Sequence, residues 1–283
     1  MIKKIIAAIL LVAALNTTGW VKQDSLNHRM FDLNQEKELL MAQALAGLKK
    51  NRIILVGEHH SNKQHHQAQL SVIQALNDAG LQVAVGLEMF RNDSQPDLDR
   101  WVSGDLDEKR FEKIFYDNWR YPWPVYRMIF EYARDHRIPM IGLNVPREIT
   151  RQVSRDGFKS LSQDQKGKLA EVSCIVDQEY MNYIRKAFGG HAHGQLNFIY
   201  FCEAQLVWDS AMAVYSLDYL KRHPEAVVVI LTGTGHAQKG AVPRQIQARS
   251  NLPYAVILPE ITGRIDRDTI SNKDADYIIL DLD

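Results

Sequence analysis

The stretch AVVVILTGTGH, residues 226–236, decides the fold class of this sequence. It is a continuous run of β-branched and aliphatic residues that ends in two threonines, two glycines and His236. A second stretch, IILVGEHH at residues 53–60, repeats the order of apolar run, glycine and histidine. Apolar runs without alternating polar residues are typical of parallel strands that are buried on both faces. The two stretches therefore predict a parallel sheet covered by helices.

The other apolar runs predict further strands, at residues 83–87, 139–143, 254–258 and 277–282. We expect the last two of these at the edges of the sheet. Residues 64–79 predict a helix between the first two strands, and residues 24–50 predict a linker followed by a helix. The predicted fold class is α/β, with a mainly parallel central sheet flanked by helices.

A large helical insertion is predicted at about residues 146–222, between the third strand and the strongest one. A crossover between parallel strands needs far fewer residues, so we expect this segment to act as a lid or a partner surface. Helical spacing continues over residues 161–187 and again over residues 197–222. The glycine-rich stretch at 189–194 separates them and carries His191 and His193, which could reach a ligand or lie in a solvated loop.

The first 19 residues have the pattern of a signal peptide, followed by a single domain at residues 20–283. Lys3 and Lys4 precede an apolar run at residues 5–15, which is shorter than the roughly 20 residues of a spanning helix. The alternative is an uncleaved membrane anchor. In either case we expect an exported protein in the periplasm or cell envelope, without a lipidated N-terminal cysteine because no Cys lies near the signal.

The charges of the chain balance, with 34 Lys plus Arg against 34 Asp plus Glu and no concentrated basic tract. This composition gives no reason to expect a nucleic-acid partner. The chain has two cysteines, Cys174 and Cys202, which an oxidising compartment would allow to pair. A buried free thiol is an equally good interpretation of Cys202, which lies in an apolar helical stretch.

Polar residues follow the predicted parallel strands directly, and ligands of open α/β sheets bind at the carboxyl ends of strands. If the strands are neighbours, one crevice should contain Glu58, His60, Glu88, Asn144 and His236. Two imidazoles and two carboxylates suit a divalent metal ion, or a His/Glu acid–base pair. The pattern does not separate these two, and any one of these residues could also cap a turn.

Other chemistry-bearing residues give weaker signals. His59, His65 and His66 could face the crevice or solvent, and the glycines of residues 232–236 lack the lysine and serine or threonine of a phosphate-binding loop. The aromatic-rich residues 116–126 predict core packing, with a flat wall for a planar ligand as the alternative. A shared face in the last helix of the insertion predicts a buried polar pair, from Gln205, Asp209 and Met212.

Short motifs in this order resemble those of the ChaN-like haem-binding proteins, the iron-regulated proteins of the superfamily that includes Tiki, PrgY and erythromycin esterases. The matching motifs are VGEHH at residues 56–60, GLEMF at 86–90, IGLNVPR at 141–147, AQLVWDSAMA at 204–213 and GTGH at 233–236. Each motif is short, and their order and spacing carry the resemblance over about residues 53–260.

The resemblance implies a Tiki/ChaN-like fold and a homodimer that holds haem between its subunits, with tyrosine as iron ligand and histidine assisting. Tyr180 or Tyr183, assisted by His191 or His193, is our expectation for these contacts, since a lid could enclose a ligand. The function implied is an envelope haem-binding protein in haem or iron uptake, working with other uptake components. The alternative is a hydrolase that uses Glu58, His60, Glu88 and His236 on a divalent metal or a water.

Overall fold

The computed structural model describes residues 26–167, 169, 172, 174–188 and 195–282. The predicted signal segment 1–19 lies outside these ranges, as do His191 and His193. No helix within the described ranges is both long and apolar enough to cross a membrane.

One mixed sheet in the order β2-β1-β8-β7-β3-β6-β4-β5 forms the centre of the protein. Its strands are β1 (Arg29–Asp32), β2 (Lys37–Leu40), β3 (Ile53–Glu58), β4 (Gln82–Arg91), β5 (Met140–Asn144), β6 (Ala226–Gly233), β7 (Tyr254–Pro259) and β8 (Tyr277–Ile279). The strands from β8 to β5 are parallel, as the apolar runs predicted. Every residue of β3 and β6 is buried, because helices cover both faces of the sheet.

The helices cover the two faces of the sheet in two separate cores. On one face lie α1 (Met41–Leu48), α2 (Lys63–Asp78), α3 (Gln95–Ser103), α4 (Glu108–Asn118) and α5 (Trp123–Asp135). On the other lie α9 (Gln195–Arg222), α10 (Thr234–Ala237) and α11 (Val242–Gln247). The strands alternate between the two cores, since Ile54 and Val56 of β3 enter the first while Ile53 and Leu55 enter the second.

The beginning of the described chain differs from the prediction of a linker and a helix. Residues 29–40 form an antiparallel hairpin, and β1 of this hairpin pairs with β8. Leu39 and Leu40, whose spacing suggested a helix, lie in β2. The prediction that β7 and β8 are edge strands was also wrong, because the hairpin adds two strands beyond β8 and moves the edge to β2.

Between β5 and β6 the chain forms α6 (Arg147–Asp156), α7 (Gln163–Gly167), α8 (Gln178–Phe188) and then the long α9. The helix expected at residues 197–222 is thus confirmed, whereas the helical spacing over 161–187 corresponds to two short helices rather than one. Cys174 and Cys202 are both free thiols. Cys202 is buried beside Tyr180 and Leu206, so it packs as a small apolar side chain.

Candidate functional site

The carboxyl ends of β3, β4 and β6 meet at one place, as the sequence predicted. Glu58 ends β3 opposite Gly233 at the end of β6, and Glu88 lies in β4 just beyond the pair Leu87–Leu231. Both carboxylates are buried, with Glu58 at 2% and Glu88 at 7% exposure. Buried carboxylates are costly without partners, so the contacts of each one determine what the site can do.

Glu58 contacts three side chains, two of them through hydrogen bonds. Its Oε1 accepts hydrogen bonds from His60 Nδ1 at 2.7 Å and from the Tyr126 hydroxyl at 2.6 Å. Its Oε2 lies 3.0 Å from His66 Nε2, an ion-pair distance at an angle that is poor for a hydrogen bond. Burial would raise the pKa of Glu58, but the contacts with His60 and His66 outweigh it and hold this pKa well below its ordinary value. Glu58 is therefore a buried anion.

His60 connects this anion to the surface. Its side chain is 25% exposed, and its ring contacts those of Trp119 and Tyr121 at centroid distances of 5.1 and 4.9 Å. Burial lowers the pKa of His60, but the hydrogen bond to Glu58 and the charges of Glu88 and Glu58 raise it above its ordinary value. His60 is thus suited to carry a proton at neutral pH.

Glu88 is fixed by β6. Its Oε2 accepts hydrogen bonds from Thr232 Oγ1 at 2.6 Å and from the backbone N–H of Gly233 at 2.7 Å. A Cβ at position 233 would come within 3.0 Å of His60 Cε1, so the glycine permits the approach of the imidazole. Asn144 was also expected in this crevice. Its side-chain amide does not contact the carboxylates and instead donates to the backbone oxygen of Glu88 at 2.7 Å.

His236 forms a second histidine–carboxylate pair at the same strand ends. Its Nδ1 is 2.6 Å from Asp209 Oδ1, and Asp209 is fully buried on α9. Burial lowers the pKa of His236, but the charge and hydrogen bond of Asp209 raise it to about 9. Asp209 also accepts a hydrogen bond from the Tyr180 hydroxyl. Sequence analysis predicted a buried polar pair among Gln205, Asp209 and Met212. In the structure, Asp209 is instead paired with His236 and Tyr180.

We call these three neighbouring groups of side chains the strand-end network and define it by its members, which are Glu58, His60, His66, Glu88, Tyr126, Tyr180, Asp209, Thr232 and His236. Two members were missed or left open by sequence analysis. Tyr126 was assigned to aromatic core packing, and nothing in the sequence distinguishes it from its aromatic neighbours. His66 was left undecided, although its position six residues after His60 on the following helix is the signal that could have placed it.

The tyrosines expected to bind iron are both engaged within the chain. Tyr180 is 1% exposed and donates to Asp209, while the Tyr183 hydroxyl donates to the backbone oxygen of Gly235. Burial, together with the negative charge of Asp209, raises the pKa of both phenols well above the ordinary value. Either oxygen would have to break its hydrogen bond before it could reach another partner.

The expected divalent metal site is not supported by the geometry. The described part of the chain contains no group of three or more His, Cys, Asp or Glu side chains placed to hold a metal ion. The contacts give the reason, since Glu58 is shared among three side chains and Glu88 Oε2 is shared between two β6 donors. Instead, the two histidine–carboxylate pairs can hold and donate protons.

A cleft of about 400 Å³ opens beside His60. Its walls come from the turn between α4 and α5, from α6 and from α9, and they consist of Trp119, Arg120, Tyr121, Arg147, Thr150, Arg151, Ser154, Phe201, Ala204, Gln205 and Trp208. We call this the arginine cleft. Trp119 and Tyr121, which also contact His60, join it to the strand-end network. The aromatic-rich residues 116–126 therefore supply both core packing and a flat wall.

Comparisons with known proteins agree with this architecture. The ChaN of Campylobacter jejuni, solved with cofacial haem, shares the fold with a TM-score of 0.69 at 20% identity, over 89% of this chain and 96% of that one. The type III effector HopBA1 has a TM-score of 0.52 at 12% identity, over 90% and 96%. An erythromycin esterase in its open conformation has a TM-score of 0.49 at 14% identity, over 77% and 72%.

No curated protein matches the sequence. The sequence model of one family, described as haem-binding uptake, Tiki superfamily, ChaN, matches residues 44–246, which is well over half of the chain. This range includes the strand-end network and the arginine cleft. The chain therefore belongs to the ChaN family of haem-binding uptake proteins in the Tiki superfamily.

Proposed function

We propose that this protein binds haem in the arginine cleft and serves haem or iron uptake in the cell envelope. Membership of the family supports a haem-binding role. The observation that carries the proposal is a cleft with aromatic walls and a positively charged lining beside His60. Its volume of about 400 Å³ lies within the range of small-molecule and cofactor sites.

The residues of the cleft fit the chemistry of haem. Trp119, Tyr121 and Trp208 offer flat faces to a porphyrin ring, and the arginines offer donors to its carboxylates. Ferric haem takes tyrosinate as an axial ligand in known proteins. Haem would supply an iron with ligand positions, while this chain supplies the enclosure, the phenol oxygen and the positive charge.

Tyr121 is the first candidate for the iron ligand. It lines the cleft, and its hydroxyl makes no hydrogen bond to a described residue. Tyr180 and Tyr183, with His191 and His193, are the second candidate set, which requires α8 to release the bonds to Asp209 and Gly235. Binding through the second set would thus be coupled to a movement of α8.

A titration of the purified protein with hemin tests the proposal. We expect a saturable shift of the Soret band, and we expect Tyr121→Phe to change the position of that band and weaken binding. Tyr254→Phe is the matched control, because Tyr254 begins β7 at the opposite end of the parallel strands. If Tyr180→Phe or Tyr183→Phe alters the spectrum and Tyr121→Phe does not, the ligand belongs to the second set. The absence of saturable binding would refute haem binding.

Location and assembly complete the proposal. Residues 1–19 act as a signal peptide, the helices between β5 and β6 act as the predicted insertion, and two copies form a homodimer that delivers haem to uptake components. The cofacial haem of Campylobacter jejuni ChaN supports a dimer with paired haems. Cell fractionation tests the location, and sedimentation with and without hemin tests the dimer. A cytoplasmic protein, or a monomer in both conditions, would contradict these parts.

A hydrolase remains the second candidate, because His60–Glu58 and His236–Asp209 are two histidine–carboxylate pairs at the strand ends. Such pairs serve in general acid–base catalysis. This function predicts hydrolysis of ester or peptide substrates by the purified protein and its loss in His60→Ala. Retention of metal by the protein and loss of that metal in the same variant would favour a metal-dependent form.

A further inference from the structure

Three arginines in the arginine cleft have no anionic partner in the protein. Arg147 and Arg151 are four residues apart on α6 and so share a face, while Arg120 approaches from the turn after α4. No carboxylate among the described residues lies within ion-pair distance of them, and Arg147 donates only to the backbone oxygen of Asn118. Other arginines of the protein are paired, for example Arg127 with Glu131 and Arg244 with Asp177.

The arginines of the cleft repel one another because their positive charges lie close together. Burial lowers the pKa of Arg147, and the positive charges of Arg120, Arg91 and Arg151 lower it further. Of these four, Arg91 has a carboxylate partner in Asp93. Like charges held together without a counterion are unfavourable, and an anion bound between them would offset this repulsion.

Gln205 gives an independent indication of a ligand. It lines the cleft from α9, is 5% exposed, and its Oε1 has no hydrogen-bond partner among the described residues. A buried amide without a partner is costly in a folded protein. Oε1 can only accept a hydrogen bond, so a donor group on a ligand bound in the cleft would satisfy it, whereas a carboxylate oxygen would not.

We infer that the arginine cleft recognises the carboxylates of a flat aromatic ligand through Arg120, Arg151 and Arg147. The inference rests on the proposed haem binding and specifies its substrate class. The cleft selects porphyrins that carry free carboxylates over the same porphyrins with esterified carboxylates. Guanidinium groups suit this task because they donate two parallel hydrogen bonds to one carboxylate.

The test compares hemin with hemin dimethyl ester, and protoporphyrin IX with its dimethyl ester, on the full chain. The Soret band reports the iron porphyrins, and quenching of the cleft tryptophans Trp119 and Trp208 reports the metal-free ones. The variant is the double substitution Arg120→Gln with Arg151→Gln, because both side chains line the cleft and neither forms an ion pair with a described carboxylate. Arg110→Gln, an exposed arginine at the start of α4, is the matched control.

We expect the wild-type protein to bind each free acid at least about tenfold more tightly than its ester, the effect of losing one charge-assisted hydrogen bond. The double variant should weaken the acid by a similar factor and leave the ester unchanged, so that the preference disappears. The control should retain it. The use of metal-free porphyrin separates carboxylate recognition from iron ligation.

Two results would overturn the inference, and they are distinguishable. If the porphyrins bind but acid and ester bind equally, or the double variant keeps the preference, carboxylate recognition is wrong while haem binding stands. If neither hemin nor protoporphyrin IX binds saturably, the proposed function itself fails, and the inference fails with it.

Discussion

The strand-end network and the arginine cleft adjoin each other, but they differ in whether their polar groups have partners within the protein. In the network, Glu58 has three partners within the chain and Asp209 has two. In the cleft, Arg120, Arg151 and the Gln205 amide have no such partners among the described residues. A polar group that is satisfied internally contributes to folding, whereas one left without a partner is available to a ligand.

This difference changes the functional interpretation of the sequence motifs. The Gly-x-x-His turns and their glutamates are the most recognisable features of the sequence, yet in the structure their charged side chains are engaged by other groups of the same chain. The residues that line the arginine cleft, which are best placed to contact a ligand, lie outside the Gly-x-x-His turns. Substitutions in each region test this difference, and those with the largest expected effect come first.

The largest effect should come from Glu58→Leu. The substitution leaves His60, His66 and Tyr126 without their acceptor in a buried place. Breaking a buried charged pair in this way costs about 3–5 kcal/mol, so the free energy of unfolding measured by urea denaturation at pH 7 should fall by that amount. The exposed Glu225→Gln should change it by less than about 0.5 kcal/mol. A loss below about 1 kcal/mol in Glu58→Leu would contradict a structural role for the network.

The pH dependence of stability should report the His236–Asp209 pair. The pKa of His236 rises from 6.5 to about 9 on folding, so its stabilisation is complete below pH 6.5 and is lost as the pH rises through 9. The shift corresponds to roughly 3 kcal/mol, as an upper bound for a coupled pair. Urea denaturation between pH 6 and pH 10 should show this decline, and His236→Gln should flatten it. An unchanged slope in the variant would assign the decline to other groups.

Gly233→Ala tests how closely His60 is held. The added Cβ would lie 3.0 Å from His60 Cε1 and 3.2 Å from its Nε2, so the ring must move away from β6. Overpacking of this kind costs about 1–3 kcal/mol in the free energy of unfolding. Gly167→Ala is the matched control, since no atom lies within 4 Å of a Cβ built there. Equal stabilities of the two variants would mean that the imidazole yields freely.

The smallest effect on stability should come from Arg151→Gln in the cleft. This arginine has no ion-pair partner among the described carboxylates and is repelled by Arg147, so we expect a change within about 0.5 kcal/mol. Arg244→Gln provides the contrast, because it removes ion pairs with Asp177 and Glu179 and should cost up to about 1 kcal/mol. Thermal and urea denaturation measure both. A larger loss in Arg151→Gln would show that the cleft arginines support the fold.

The parallel sheet could be predicted from sequence because its signal is local. The runs at residues 53–56 and 226–231 are apolar without interruption. Apolar runs of this short length are typical of strands that are buried on both faces. The hairpin of β1 and β2 escaped prediction because KELL at residues 37–40 leads directly into a helix and shares its leucine spacing. Its strand conformation depends on pairing with β8, more than 230 residues later in the chain.

The candidate site could be predicted only in part, because the strand-end residues have a local sequence signal and their partners do not. Strand ends place Glu58, Glu88 and His236 together, since the carboxyl ends of parallel strands meet. The partners that decide their chemistry, Asp209 and Tyr126, come from helices whose packing angles no local pattern encodes. The arginine cleft has three walls from distant segments, so its charge becomes visible only when those segments are brought together.

The hairpin at the start of the fold also decides how the protein can be handled. Because β1 pairs with β8 and Arg29 contacts Asp281 at 2.8 Å, residues near both ends of the described chain emerge from the same part of the sheet. Near the carboxyl end, the backbone oxygen of Leu282 accepts a hydrogen bond from the side-chain amide of Asn62 at 3.4 Å, and Asn62 lies two residues after His60. A tag, a fluorescent fusion or an immobilising surface joined directly to the carboxyl end would therefore lie near the strand-end network, and a flexible linker should keep it away from the porphyrin entrance.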